Sequence, residues 1–477
     1  MSKISHDTRE LQVSRQTKAL PVDFLRLPGY CPSMRGADSF SSFIDCERYL
    51  DGLGLFRMKP GLERMRDMLG RLGLVRPPYT VVQIVGTNGK GSTATMLERL
   101  AREHGLRTGL HTSPHFVSVR ERVRVNGAML PIDVWTALAN TLMRQGGEAL
   151  SYFEFVTCLA VLAFAEARVK VAIMETGLGG SFDATTALEA DLLVFTPFDL
   201  DHQAVLGATL REIAYDKAGA IRPGKPAISA PQRPEAWAEL ERRAREQGTQ
   251  VREISLEGSG FELSLRGEHQ QGNARLALAA WRTLNILTSN SEVEARALTS
   301  AWLPGRMQQL PAIPAGQNEF SPCALGWPPL LLDGAHNSHS LAALGLSLAR
   351  EGVAPLAVVF ACLGDKDLET MLPHLRALAT GLIVVPPIDN PRAIPPVELA
   401  AKLGSNAVPA DSLTGALEIA ARHMAARMPE VFDPACIRVR QHPLLLCGSL
   451  YLLGEFYALR PDALGMNMAS ESTPAAL

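Results

Sequence analysis

The segment Gly86-Thr87-Asn88-Gly89-Lys90-Gly91-Ser92 lies between an apolar, β-branched run, Tyr79–Val85, and a helix-patterned run, Ser92–His104. No other stretch restricts the fold as much. A buried strand that ends in glycine and enters a helix opens a strand–crossover–strand unit, and such units build parallel sheets with helices on both faces. In the loop itself, glycines let backbone N–H groups close around phosphate oxygens, and the helix N-terminus favours negative charge. Lys90 stands where it can reach terminal phosphates, and Ser92 where it can ligate Mg²⁺, although the glycine spacing is shorter than in the common phosphate-loop pattern. Gly86, Thr87, Asn88, Gly89, Lys90, Gly91 and Ser92 are therefore the candidate nucleotide-binding residues.

The alternation continues along the chain. Leu106–His111, Val169–Glu175 and Asp191–Thr196 read as strands, and Phe153–Ala167, Ala274–Ile286 and Val293–Trp302 as helices. The run Phe43–Leu72 has helical spacing broken at Lys59-Pro60-Gly61, which predicts two helices. Leu303-Pro304-Gly305 ends this region. Beyond it, Pro329–Asp333, Leu356–Cys362, Gly381–Val385 and Leu444–Cys447 are short buried-type strands separated by helices such as Ser340–Arg350 and Leu413–Ala426. The expected architecture is α/β: a doubly wound parallel sheet of phosphate-loop ATPase type over residues 41–303, then a smaller Rossmann-like α/β domain over 304–462. A partly disordered leader (1–40) and a flexible tail (463–477) complete the division.

Composition narrows the function classes. With 47 Lys plus Arg against 49 Asp plus Glu, the formal net charge is −2, so no polyanion-binding signature is present and nucleic acid is not an expected partner. No apolar run approaches the ~20 residues of a membrane span, and the N-terminal residues lack the apolar core of a secretory signal; the expectation is a cytoplasmic protein without a membrane partner. Cys31, Cys46, Cys158, Cys323, Cys362, Cys436 and Cys447 are scattered and odd in number, which reads as reduced thiols with no zinc site or disulfide framework.

Three further groups carry possible chemistry. Glu175 follows a strand directly and precedes Gly177-Leu178-Gly179-Gly180, with Asp183 close behind; in a doubly wound sheet this places it on the same crevice as Lys90, as a metal-ligand candidate. Asp199-Leu200-Asp201-His202 follows the next strand, and Lys217 comes fifteen positions later. His202 can join oxygen ligands around Mg²⁺ or Mn²⁺, although hard ions prefer oxygen; taken alone it reads as a loop histidine, and Lys217 as a solvated helix residue paired with Glu212. In the second domain, Asp333-Gly334-Ala335-His336-Asn337 follows an apolar strand, and Arg306 sits at the boundary; alone, these read as an Asx-type turn and a boundary arginine.

Together with Ser113-Pro114-His115, Glu121-Arg122-Val123, Phe153-Glu154, Asp216-Lys217-Ala218-Gly219, Pro304-Gly305-Arg306 and Gly448-Ser449-Leu450, these motifs occur in an order that resembles the folylpolyglutamate synthase/dihydrofolate synthase family of Mur-type amide ligases. The resemblance implies an ATP-dependent acid–amino-acid ligase in which ATP, a folate and L-glutamate meet between two domains. It further implies phosphate contacts from Gly89, Lys90 and Gly91, magnesium ligation by Ser92, Glu175 and His202, and a carbamylated Lys217 holding a second metal ion, with a monovalent cation such as K⁺ as a further possibility. Asn273, Arg306 and Asp333 match the family's ATP-binding set. Lys90, Asp183, Lys217 and His336 match its catalytic positions, and a monomer is the default state. Where the family often has arginine and asparagine, this chain has Ser181 and Thr186. Two other classes stay open from sequence: a Mur-type ligase with a different acid acceptor, and a nucleotide-dependent regulatory module without ligase turnover.

Overall fold

The computed structural model describes residues 39–54, 61–314, 326–379, 381–433 and 441–465. Lys59, Pro60, Cys31, Cys323, Cys436, the leader up to residue 38 and the tail from 466 lie outside them. Within the leader span, Phe40 is buried and exchanges two hydrogen bonds with the Asn140 side chain. Ala463 and Leu464 are likewise buried, so the packed chain extends past residue 462.

Among the described residues the first sheet has eight strands: β1 Thr80–Val85, β2 Thr108–His111, β3 Val123–Val125, β4 Ala128–Met129, β5 Val171–Glu175, β6 Leu192–Phe195, β7 Ala227–Ser229 and β8 Val251–Glu253. Their order is β4-β3-β2-β5-β1-β6-β7-β8, parallel throughout except where β3 and β4 form an antiparallel edge. After β9 (Gln308–Leu310) and the small pair β10 (Ile313–Pro314) and β11 (Gly326–Trp327), the second sheet is built from β12 Leu330–Leu332, β13 Ala357–Phe360, β14 Leu382–Val385, β15 Ala407–Pro409 and β16 Leu444–Cys447. Its order is β15-β14-β13-β16-β12-β9, with only β9 antiparallel. The protein is thus a two-domain α/β structure.

Side chains alternate across a strand, so each sheet separates two cores. In the first, Val81, Val85, Ala172, Met174, Leu193 and Phe195 face one side, and Val82, Ile84, Val171, Ile173, Leu192 and Val194 the other. In the second, Leu330, Leu332, Val359 and Leu446 face one helical layer, and Leu331, Val358, Phe360 and Leu445 the opposite one. Burial on both faces explains why these strands read as continuous apolar runs in the sequence. The two antiparallel edges and strands β7 and β8 were not expected; segments of two or three residues are too short to show a period.

Register sets up the chemistry. Ile84 pairs with Glu175 and Val85 with Phe195, so Gly86, Thr176 and Thr196 leave the sheet together at its carboxyl edge. In the second sheet, Leu332 pairs with Leu446 and Phe360 with Cys447, which brings Asp333, Ala361 and Gly448 to one edge.

Candidate active site

A cavity of about 1220 Å³ runs between the two domains, and both carboxyl edges contribute to its walls. On the first-domain side, β1 gives way to the glycine loop, and the helix Lys90–Glu103 begins at Lys90 itself, so Lys90, Gly91 and Ser92 form its first turn. Gly89 sits at the N-cap with φ +84°, a left-handed backbone that glycine adopts without cost; a Cβ there would run into the Asn273 side chain. The loop is pinned from beneath by the Pro197 carbonyl, which accepts from the N–H groups of Thr87 (3.1 Å) and Asn88 (3.3 Å). The Lys90 ammonium folds over the loop and donates to the carbonyls of Gly86 and Thr87, both at 3.1 Å.

Glu175, at the end of β5, is buried beside the first turn of that helix: its oxygens lie 3.6 and 3.7 Å from where a Cβ on Gly91 would stand. It accepts from the Ser113 N–H at 3.0 Å. Burial raises its pKa, with Lys90 pulling the other way. It is therefore no solvated strand-end carboxylate. Asp183 is also buried, but its oxygens face its own loop, accepting from the N–H groups of Gly177 (2.8 Å), Leu178 (3.0 Å) and Thr185 (3.0 Å) and from the Thr185 hydroxyl (2.6 Å). Ser181 and Thr186 are satisfied locally: Ser181 donates to the Asp216 carbonyl, and Thr186 to the Gly180 carbonyl while accepting from Gln83.

Lys217 departs from its sequence-pattern reading as a solvated residue paired with Glu212. Glu212 instead caps its own helix at Thr209, and Lys217 is 3 % exposed, donating to the Gly86 carbonyl at 2.9 Å. Burial and the nearby Lys90 charge bring its pKa down to about 7. His202 adopts a left-handed backbone (φ +53°) and stands at the cleft, where desolvation lowers its pKa to about 4 despite the attraction of Asp201.

The second domain supplies the opposite wall. Asp333 closes a turn by accepting from the N–H groups of Ala335 (2.8 Å) and Met307 (2.9 Å), so the Asx-type turn is real and also fixes the residue after Arg306. His336 has Nδ1 on the Gly334 carbonyl at 2.7 Å, which turns Nε2 toward Asp201 of the first domain, 3.8 Å away. The contact that sequence reasoning missed is Lys366, which donates to Asp201 Oδ1 at 2.6 Å across the cleft. Both side chains are over nine-tenths buried. Desolvation opposes ionisation of Asp201, but His336, His202 and Lys366 together hold its pKa far below the carboxylate range. Asn88 of the glycine loop meets Asn337 (3.2 Å) and His339 (3.1 Å), again from the other domain. A lysine 165 positions from its partner carries no local signal.

The lining chemistry fits a nucleoside triphosphate and a hard cation. The narrow glycine cradle at Gly89, a lysine at its rim and a second-domain arginine suit phosphate oxygens. Ser92 and Glu175 are oxygen donors of the kind Mg²⁺ accepts. Among the described residues no three His, Cys, Asp or Glu side chains group into a metal site, so these donors form a complete ligand set only with phosphate oxygens or a further anion.

The chain is similar to known proteins over most of its length. Residues 326–430 match the Mur ligase, glutamate ligase domain family. The chain is 33 % identical over 390 residues to the dihydrofolate synthase/folylpolyglutamate synthase of Bacillus subtilis, covering 74 % of this chain and 87 % of that one. It is 32 % identical over 375 residues to its Escherichia coli counterpart, covering 75 % and 84 %. Among solved structures, Mycobacterium tuberculosis folylpolyglutamate synthase complexed with ADP superposes with a TM-score of 0.76 at 28 % identity, over 87 % of this chain and 98 % of that one. A bifunctional folylpolyglutamate synthase/dihydrofolate synthase with Mn, AMPPNP and L-glutamate bound gives 0.74 at 28 % identity, over 90 % and 100 %. This chain therefore belongs to the dihydrofolate synthase/folylpolyglutamate synthase family of Mur-type ligases.

Proposed function

We propose that this protein is an ATP-dependent ligase that joins L-glutamate to dihydropteroate, and to tetrahydrofolate and its polyglutamates, through an acyl phosphate. The observation that carries this reading is the single cleft in which the phosphate loop, Glu175 and Lys217 of one domain face Arg306, Asp333 and His336 of the other. The acceptor's carboxylate attacks the γ-phosphorus of ATP and ADP leaves. The glutamate amine then attacks the acyl carbon, forming the amide and releasing phosphate.

Each residue has a part in that sequence. The N–H groups of residues 89–92 cradle the phosphates, while those of Thr87 and Asn88 hold the loop on Pro197, and Lys90 neutralises charge developing on the transferred group. Asn273, Arg306 and Asp333 hold the nucleotide between the domains. Mg²⁺, which supplies charge compensation at the phosphates, is held by Ser92, Glu175 and His202. A second divalent site is completed by carbamylated Lys217, and K⁺ is an additional candidate. The hydrogen bonds of Asp183 and His336 favour positioning roles, through the Gly177–Thr185 loop and through Asp201 respectively. No protein nucleophile is required. The enzyme acts as a cytoplasmic monomer on small-molecule substrates.

The test is incubation with MgATP, glutamate and either dihydropteroate or tetrahydrofolate, followed by mass measurement. One glutamyl increment on each acceptor is expected, with ADP formed only when both acid and amine are present. In Lys90→Ala both products fall at least about 100-fold while the fold persists, because one preorganised transition-state contact is lost. ADP formation indifferent to acceptor and glutamate sinks the reading.

A further inference from the structure

Arg122 is a cation that the assignments above leave without work. It lies in the turn before β3, is 4 % exposed, and lines the interdomain cavity. Its guanidinium spans the Tyr152 ring at 5.3 Å, and its Nε donates to His115 Nδ1 at 2.8 Å. Burial and Arg122 itself bring the His115 pKa down to about 3, so the imidazole stays neutral and offers no charge in return.

The adjacent carboxylates are committed elsewhere. Glu121 accepts from three consecutive N–H groups, those of Phe116 (2.9 Å), Val117 (2.7 Å) and Ser118 (2.8 Å). Glu175 is held by Ser113 and faces the phosphate loop. Both lie within electrostatic range of Arg122, but among the described residues no carboxylate is in ion-pair contact with it. A buried cation without a counter-anion is costly, whereas a bidentate carboxylate matches the geometry of a guanidinium. Tyr451 of the second domain is also within electrostatic range of Arg122, so this position sits where the two walls meet.

We propose that Arg122 binds the non-reacting carboxylate of a glutamyl unit, and so selects glutamate-bearing substrates at the amide-forming step. The inference rests on the ligase reading above. Two substrates carry such a group: the incoming glutamate, and the glutamyl tail of tetrahydrofolate. Dihydropteroate, whose single carboxylate is the one that reacts, has none.

The experiment compares Arg122→Met, which preserves the packing on Tyr152, and Arg122→Lys with the parent enzyme, after thermal melting has shown that the variants fold and the KM for ATP has been measured. A KM for glutamate raised about 10- to 100-fold with both acceptors assigns the incoming amino acid. A KM raised by a similar factor for tetrahydrofolate, but not for dihydropteroate, assigns the tail. In either case Arg122→Lys recovers part of the loss. Unchanged KM for both substrates, or a fall in kcat alone, overturns the assignment and makes Arg122 structural. Absence of turnover in the parent enzyme overturns the ligase reading instead; equilibrium binding of glutarate, weaker in Arg122→Met than in the parent, then still tests the carboxylate site by itself.

Discussion

Lys217 shows how far a single side chain can depart from its sequence appearance. In the helix Leu210–Ala218 it falls on the buried stripe of Leu210, Ile213 and Ala214, where its charge argues for solvent, and the fold buries it against the Gly86 carbonyl. With its pKa brought down to about 7, far more of its amine is uncharged at neutral pH than in an ordinary lysine, which is almost entirely protonated. Addition of CO₂ requires the uncharged amine. Enzyme equilibrated with ¹³C-bicarbonate should therefore show a carbamate resonance that grows from about pH 6 to about pH 8 and is missing from Lys217→Met. Stability shifts in the same direction. The folded pKa lies below the unfolded one, so the unfolded chain binds the extra proton, and stability rises with pH from about 7 toward the ordinary lysine range. Lys217→Met flattens that slope; a carbamate signal that survives in this variant refutes the site.

Among the elements, the helix Lys90–Glu103 offers an internal comparison. Gly89 precedes it and Gly105 follows it, both with φ +84°. Alanine at either position takes on the left-handed strain, about 1–2 kcal/mol. Around Gly105 a Cβ meets nothing within 4 Å, whereas at Gly89 it strikes Asn273. Urea titrations should show Gly105→Ala losing only the strain energy with normal kinetics, and Gly89→Ala losing more, together with a raised KM for ATP. Equal behaviour of the two variants contradicts the cradle. This element was also the most legible in the sequence, because the buried strand β1, the glycines and the following helix are contiguous. So were the continuous apolar strands β5, β6, β13 and β16, each buried on two faces. The antiparallel edge β3–β4 and strands β7 and β8 were not legible, since two or three residues carry no period. The loop acids were visible as candidates, but not their partners: both line the cavity, Glu175 with one backbone N–H from Ser113 and Asp183 with several from its own loop.

At the scale of the molecule, the two domains meet through contacts of unequal worth. At the rim, Arg266 pairs with Glu351 and Arg350 with Glu268, all partly exposed, and such pairs contribute at most about 1 kcal/mol each. Inside the cleft, Lys366 and Asp201 form a pair with both side chains buried, where removal of one partner strands a charge and costs about 3–5 kcal/mol. None of these pairings could be read from sequence, because each joins positions far apart in the chain. The asymmetry gives a prediction about shape that is independent of turnover. Lys366→Met should open the cleft, raising the radius of gyration in X-ray scattering and speeding amide exchange near residues 201–206. Glu351→Gln should leave both unchanged, since Arg350–Glu268 and the buried pair remain. Saturating salt should mimic the second variant and not the first, because screening reaches the exposed pairs and hardly touches the buried one. If Glu351→Gln opened the molecule as far as Lys366→Met does, the buried pair would not be what holds the two walls of the site together.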